Sequence, residues 1–160
     1  AELYPQAKIV LHGVSMGAAT VMMAAGREDL PPEVVAAVED CGYTNADELI
    51  AMQMENSFGL PAFPAMNLLN WRCEKVAGFN LHDAAPIDAV RHARVPILFI
   101  HGTKDTLVPP NMAEQLYAAA NAPKKELLMI PGAVHAAASQ ADQQTYFRTI
   151  RKFVKPYMEE

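Results

Sequence analysis

At 160 residues, with 51% apolar and 19% charged side chains, the chain is long enough to bury a core of its own. A net charge of -5 offers no basic surface for nucleic acid, and the longest apolar stretches fall far short of a bilayer span. Two cysteines, Cys41 and Cys73, form neither a metal motif nor a disulfide framework, which favours a reducing, cytoplasmic compartment.

The first element is the apolar run Ile9-Val10-Leu11, followed by Gly13-Val14-Ser15-Met16-Gly17 and then by the small-residue stretch Ala18 to Ala25. Strand, sharp turn with serine at its apex, then helix is the context that makes a G-x-S-x-G match a nucleophile elbow. The two flanking glycines are expected to relieve crowding in a strained turn. The turn would lift the Ser15 hydroxyl clear of the sheet. The Met16 backbone N–H, at the positive end of the following helix, would serve as an oxyanion donor.

Pro31-Pro32 ends the elbow helix region, and Val34 to Val38 reads as a second strand closing in Glu39-Asp40-Cys41-Gly42. From Thr44 to Asp83 the pattern turns helical, over Ala46 to Met54 and Ala65 to Glu74, and is rich in methionine and aromatic residues. Val95 to Ile100 is a continuous apolar run, as expected of a strand covered on both faces. It leads into His101-Gly102-Thr103-Lys104-Asp105 and then a helical pattern from Met112 to Ala120. Glu126 to Ile130 reads as a fourth strand, left through Pro131-Gly132-Ala133-Val134-His135, and the amphipathic stretch Tyr146 to Val154 closes the chain.

A serine hydroxyl near neutral pH needs a histidine base, and the histidine needs a carboxylate to set its tautomer and stabilise the imidazolium. His135 lies beyond the last strand, where a general base belongs. Asp105 lies beyond the third, at the carboxyl end where open parallel sheets place their chemistry. The other histidines are less well placed. His12 is expected to point into the packing of the elbow strand and His101 to bond locally, while His82 and His92 fall in polar helical stretches. Asp40 also follows a strand and stands as the alternative acid. Cys41 lacks an elbow and reads as a small buried residue.

The blocks His12-Gly-Val-Ser-Met-Gly, Pro96-Ile-Leu-Phe-Ile-His-Gly-Thr-Lys-Asp105-Thr-Leu-Val-Pro and Pro131-Gly-Ala-Val-His135 resemble, in order, the three motif blocks of the α/β-hydrolase superfamily. The likeness is greatest to its bacterial serine aminopeptidase, acyl esterase and thioesterase-like branch, and runs from residue 7 to about residue 155. It implies an α/β fold: the C-terminal half of a mostly parallel sheet, with strands near 8–12, 34–39, 95–100 and 126–130. It also implies that residues 44–83 form a cap inserted in a partial catalytic domain spanning 1–160, the alternative being a helical excursion with its own small core.

Four strands, a helix and the loop that donates a second oxyanion N–H normally precede the nucleophile in this fold. The chain is therefore expected to be a C-terminal piece, its N-terminal half lying in the same or another chain. The resemblance implies Ser15, His135 and Asp105 acting on a small-molecule acyl substrate through an acyl-enzyme, with no metal or organic cofactor. A carboxylic ester is the default, before a thioester or an amide. Acyl transfer to another acceptor would use the same residues, and a non-catalytic binding or assembly module is the reading from a different class.

Overall fold

The computed structural model describes residues 7–159. Four strands, β1 (Ile9–Val14), β2 (Val34–Asp40), β3 (Ile97–Gly102) and β4 (Lys125–Ile130), form one sheet in the order β1-β2-β3-β4. All three pairings are parallel. Each return crossing carries helix, so both faces of the sheet are covered and the inner strands can be apolar throughout. β3 shows this most fully, since every residue from Ile97 to Gly102 is buried.

One face packs under α1 (Met16–Ala25) and, further along the chain, under α4 (Pro86–Ala89) and α5 (Pro110–Ala119). Its core holds Met22, Ala25, Ala37, Val90, Ile97, Phe99 and Leu116. The opposite face, carrying Ala36, Val38, Leu98, Ile100 and Ile130, is closed by α6 (Ala138–Ala141) and α7 (Gln143–Glu159) through Ala138, Tyr146 and Phe153. Strand alternation sorts β2 between these layers: Ala37 and Glu39 face α1, while Ala36, Val38 and Asp40 face α7.

Between β2 and β3 the chain leaves the sheet as α2 (Ala46–Phe58) and α3 (Ala62–Ala77). Asn45 caps α2, its side chain accepting from the N–H groups of Asp47 and Glu48, and Gly59 ends it in the left-handed conformation. α2 runs past the expected Met54 to Phe58, where Gly59 stops it, and α3 starts before the expected Ala65, across non-helical dihedrals at Phe63, and ends at Gly78, also left-handed. α7 likewise extends past the expected Val154 to Glu159. Among the described residues no helix is long and apolar enough to cross a membrane.

β1 is an edge strand among the described residues. Its exposure follows from that position: Ile9, Val10 and Leu11 are half-buried and Val14 is exposed. His12 does not point into packing as expected. Its side chain is exposed at this open edge and its Nε2 lies 3.1 Å from the Tyr146 hydroxyl.

Candidate active site

The carboxyl ends of β1, β3 and β4 bring three loops together. Ser15 stands at the β1–α1 junction with φ 56° and ψ -117°, a conformation that costs a side-chain-bearing residue of order 1–3 kcal/mol. Surrounding bonds impose it: the Ser15 N–H donates to the Asp40 carbonyl at 2.8 Å, and the Ser15 carbonyl accepts from Ala19 at 3.1 Å. Among the described residues glycine is required on one side only. A Cβ on Gly13 would lie 2.1 Å from the Gly17 carbonyl oxygen, whereas a Cβ on Gly17 meets nothing within 4 Å. The predicted crowding is thus one-sided, because it arises where the first turn of α1 folds its own backbone over Gly13.

Asp105, in the β3–α5 loop, is buried, and one carboxylate oxygen is taken up by backbone: Oδ1 accepts from the N–H groups of Leu107 and Val108, both at 2.9 Å. His101 steadies the same loop. Its Nε2 donates to the Val108 carbonyl at 2.9 Å and leans toward Asp105 Oδ2 at 3.4 Å. This agrees with the local bonding expected of His101.

His135 follows β4 in a loop stitched to the Asp105 loop. Thr103 N donates to the Ile130 carbonyl, Lys104 N to the Ala133 carbonyl, and Gly132 N to the Thr103 hydroxyl. Gly102 permits this approach, since a Cβ there would stand 2.4 Å from the Ala133 carbonyl oxygen.

These loops place His135 Nδ1 2.8 Å from Asp105 Oδ2 and His135 Nε2 2.9 Å from Ser15 Oγ. An ionised carboxylate only accepts, so Nδ1 carries the proton and Nε2 is left to accept from the serine hydroxyl. The arrangement can draw the hydroxyl proton onto the imidazole while the buried carboxylate holds the ring. Met16, Gly17 and Ala18 open α1, where backbone N–H groups have no intrahelical partner.

Asp40, the alternative acid, is not brought to His135. Its Oδ2 accepts from the Tyr146 hydroxyl at 2.9 Å, and burial raises its pKa above the usual carboxylate range. Tyr146, Glu39 and Gln53 are structural participants that sequence pattern did not reveal. Tyr146 reads as one more apolar position of an amphipathic helix. Glu39 is a completely buried acid whose Oε2 accepts from the Gly42 N–H at 2.9 Å. Burial pushes its carboxyl up to about 8. Gln53, on α2, donates to the Leu107 carbonyl at 2.7 Å and ties that helix to the Asp105 loop.

One ligand atom each of Cys41, Asp105 and His135 falls within 4.8 Å of the others. Metal ligation would need the Cys41 thiolate, and burial pushes that thiol up to about 12. Cys41 is buried, as its small apolar character predicts. A cavity of about 480 Å³ opens beside Ser15 between α2 and the Asp105 loop.

The parallel sheet, the turn at Ser15 and the loops that carry Asp105 and His135 define an α/β-hydrolase fold. The family model of the prolyl oligopeptidase family matches residues 1–160, and the chain belongs to that family. The chain is 27% identical over 146 residues to the uncharacterized protein YqkD of Bacillus subtilis, covering 91% of this chain and 47% of that protein. It spans about half the length, or less, of the curated relatives it matches. Among solved structures it resembles an esterase of Pyrococcus furiosus, with TM-score 0.68 and 22% identity over 94% of this chain and 54% of the other. An acylaminoacyl peptidase of Pyrococcus horikoshii gives TM-score 0.70 and 17% identity over 99% of this chain and 26% of the other.

Proposed function

We propose that the chain carries the catalytic centre of a serine hydrolase that cleaves an acyl ester. The observation that carries this reading is the continuous line from Ser15 Oγ through His135 to Asp105, at 2.9 and 2.8 Å, built from loops after three different strands. Ser15 attacks the acyl carbonyl as His135 Nε2 takes its proton. The tetrahedral oxyanion is met by the Met16 N–H at the start of α1. Collapse expels the alcohol, protonated by His135, and leaves an acyl-serine that water, deprotonated by the same nitrogen, then cleaves. Asp105 holds the ring and stabilises the imidazolium in both steps.

Residues 44–83 act in this reading as a cap over the acyl site. In this fold a loop upstream of the elbow supplies the second oxyanion donor. Here that donor is assigned to a segment outside the chain, which would also pair with the open edge of β1. Two free thiols fit a reducing compartment.

Turnover of p-nitrophenyl acetate tests the assignment. Ser15→Ala and His135→Ala are each expected to lower kcat/KM by about three orders of magnitude or more. A His135→Ala protein that is folded and retains wild-type turnover would overturn it.

A further inference from the structure

The cavity beside Ser15 carries a statement about substrate that the arrangement of Ser15, His135 and Asp105 does not. Its wall is formed by Met16 of the elbow, Tyr43, Leu49 and Ile50 of α2, and Leu107 and Val108 of the Asp105 loop, with Met54 and Phe58 completing the α2 side. Among the described residues none that lines it is charged. Apart from Ser15, its polar side chains are the neutral Tyr43 and Gln53, and the Gln53 Nε2 donates to the Leu107 carbonyl at 2.7 Å. No acidic residue of the helical segment reaches the lining: Asp47, Glu48 and Glu74 line a separate cavity, in which Asp47 pairs with His82, and Glu55 is exposed.

The position of the cavity decides which half of the substrate it receives. His135 must reach the leaving oxygen to protonate it, so the leaving group lies on the His135 side of Ser15. Ser15 and Met16 line the cavity and His135 does not. The space therefore takes the part of the substrate that stays bonded to Ser15 Oγ, which is the acyl chain. A volume of about 480 Å³ is within the range of small-molecule sites and far exceeds what an acetyl group fills.

Resting on the hydrolase reading above, we propose that the preferred acyl group is an uncharged, apolar chain longer than acetyl. A free aminoacyl group would set its α-ammonium beside the carbonyl with no carboxylate in the wall to receive it. A dicarboxylic monoester would bury its free carboxylate with no cation. Desolvating either charge unpaired is unfavourable, whereas each methylene gains by leaving water. The same site thus discriminates against aminopeptidase substrates and in favour of medium-chain acyl esters.

The test is kcat/KM for p-nitrophenyl acetate, butyrate and hexanoate, with p-nitrophenyl hemiglutarate and leucine p-nitroanilide as charged comparators. The expected rise is up to about fourfold per added methylene until the cavity is filled, on the order of a hundredfold from acetate to hexanoate. The hemiglutarate is expected to fall at least tenfold below the butyrate, and the aminoacyl anilide to be cleaved far more slowly than its N-acetyl form. Ile50→Trp fills the cavity and is expected to lower the hexanoate-to-acetate ratio, read within the variant so that any general loss cancels.

Acetate cleaved with a flat chain-length profile, or hemiglutarate equal to butyrate, would overturn the proposal while leaving the hydrolase reading intact. No Ser15-dependent cleavage of any ester would overturn both. The wild-type comparisons decide the question even if Ile50→Trp does not fold.

Discussion

Ser15 and Glu39 show how residues at the top of the sheet are held in states that neither would choose alone. Ser15 keeps a positive φ because its N–H is bound to the Asp40 carbonyl and a Cβ is missing at Gly13, beneath the Gly17 carbonyl. Glu39 stays protonated because burial raises its carboxyl from an ordinary 4.5 to about 8, while its Oε1 has no hydrogen-bond partner. Between those two values the folded state holds a proton that the unfolded state has lost. Stability therefore falls as pH rises through this window, by at most about 1.4 kcal/mol per pH unit, and levels off above it. Glu39→Gln removes the ionisable group and keeps an acceptor for Gly42. Its melting temperature is expected to match wild type most closely near pH 5 and to exceed it increasingly toward pH 8. A difference that does not change with pH would show that Glu39 titrates normally in the folded protein.

At the scale of elements, β2 is the strand on which the site leans. Its last residue receives the Ser15 N–H through the Asp40 carbonyl, and its neighbour Cys41, at φ 52°, donates to the Ile100 carbonyl at 2.9 Å. α7 fixes that strand end from the other face, where the Tyr146 hydroxyl donates to buried Asp40 and accepts from His12. Tyr146→Phe leaves a buried carboxylate without its donor and is expected to destabilise the protein by about 1–3 kcal/mol in urea denaturation. Asp40→Asn added to it should recover part of the loss, because a neutral amide is less costly to bury unpaired. Stability unchanged by Tyr146→Phe would mean that α7 does not support β2 through this bond.

The elements themselves were largely legible. Continuous apolar runs mark β2 and β3, and Gly42 and Gly102 mark their exits, because a covered parallel strand has no polar face to hide the signal. Less legible were features set by tertiary contact. The exposed position of His12 depends on β1 lying at an edge, and the bond from Gln53 to Leu107 joins residues far apart in sequence. In sequence, only motif likeness distinguishes Asp105 from Asp40. The geometry separates them by partner: two backbone N–H groups and His135 for Asp105, and Tyr146 for Asp40.

For the whole molecule, the sheet order β1-β2-β3-β4 is what makes a site from residues 120 positions apart. Parallel strands end on the same side, so loops after the first, third and fourth strands meet there, while helices on both faces cover the inner strands β2 and β3. Among the described residues β1 leads to Ser15 at one edge, β4 leads to His135 at the other, and β2 and β3 lie between them. Loops that lean on each other's backbone at Gly102 and Ala133 keep Asp105 and His135 in register. The helical segment over Ser15 then adds an uncharged wall to chemistry that the sheet positions.

The hydrolase reading requires that Ser15 be an activated nucleophile and that His135 activate it. Its most direct measurement is the rate of covalent labelling by a fluorophosphonate, with the modified residue identified by mass spectrometry. A single adduct is expected on Ser15, absent in Ser15→Ala and formed at least about a hundredfold more slowly in His135→Ala. A folded protein that does not label, or one that labels at the same rate without His135, would contradict it.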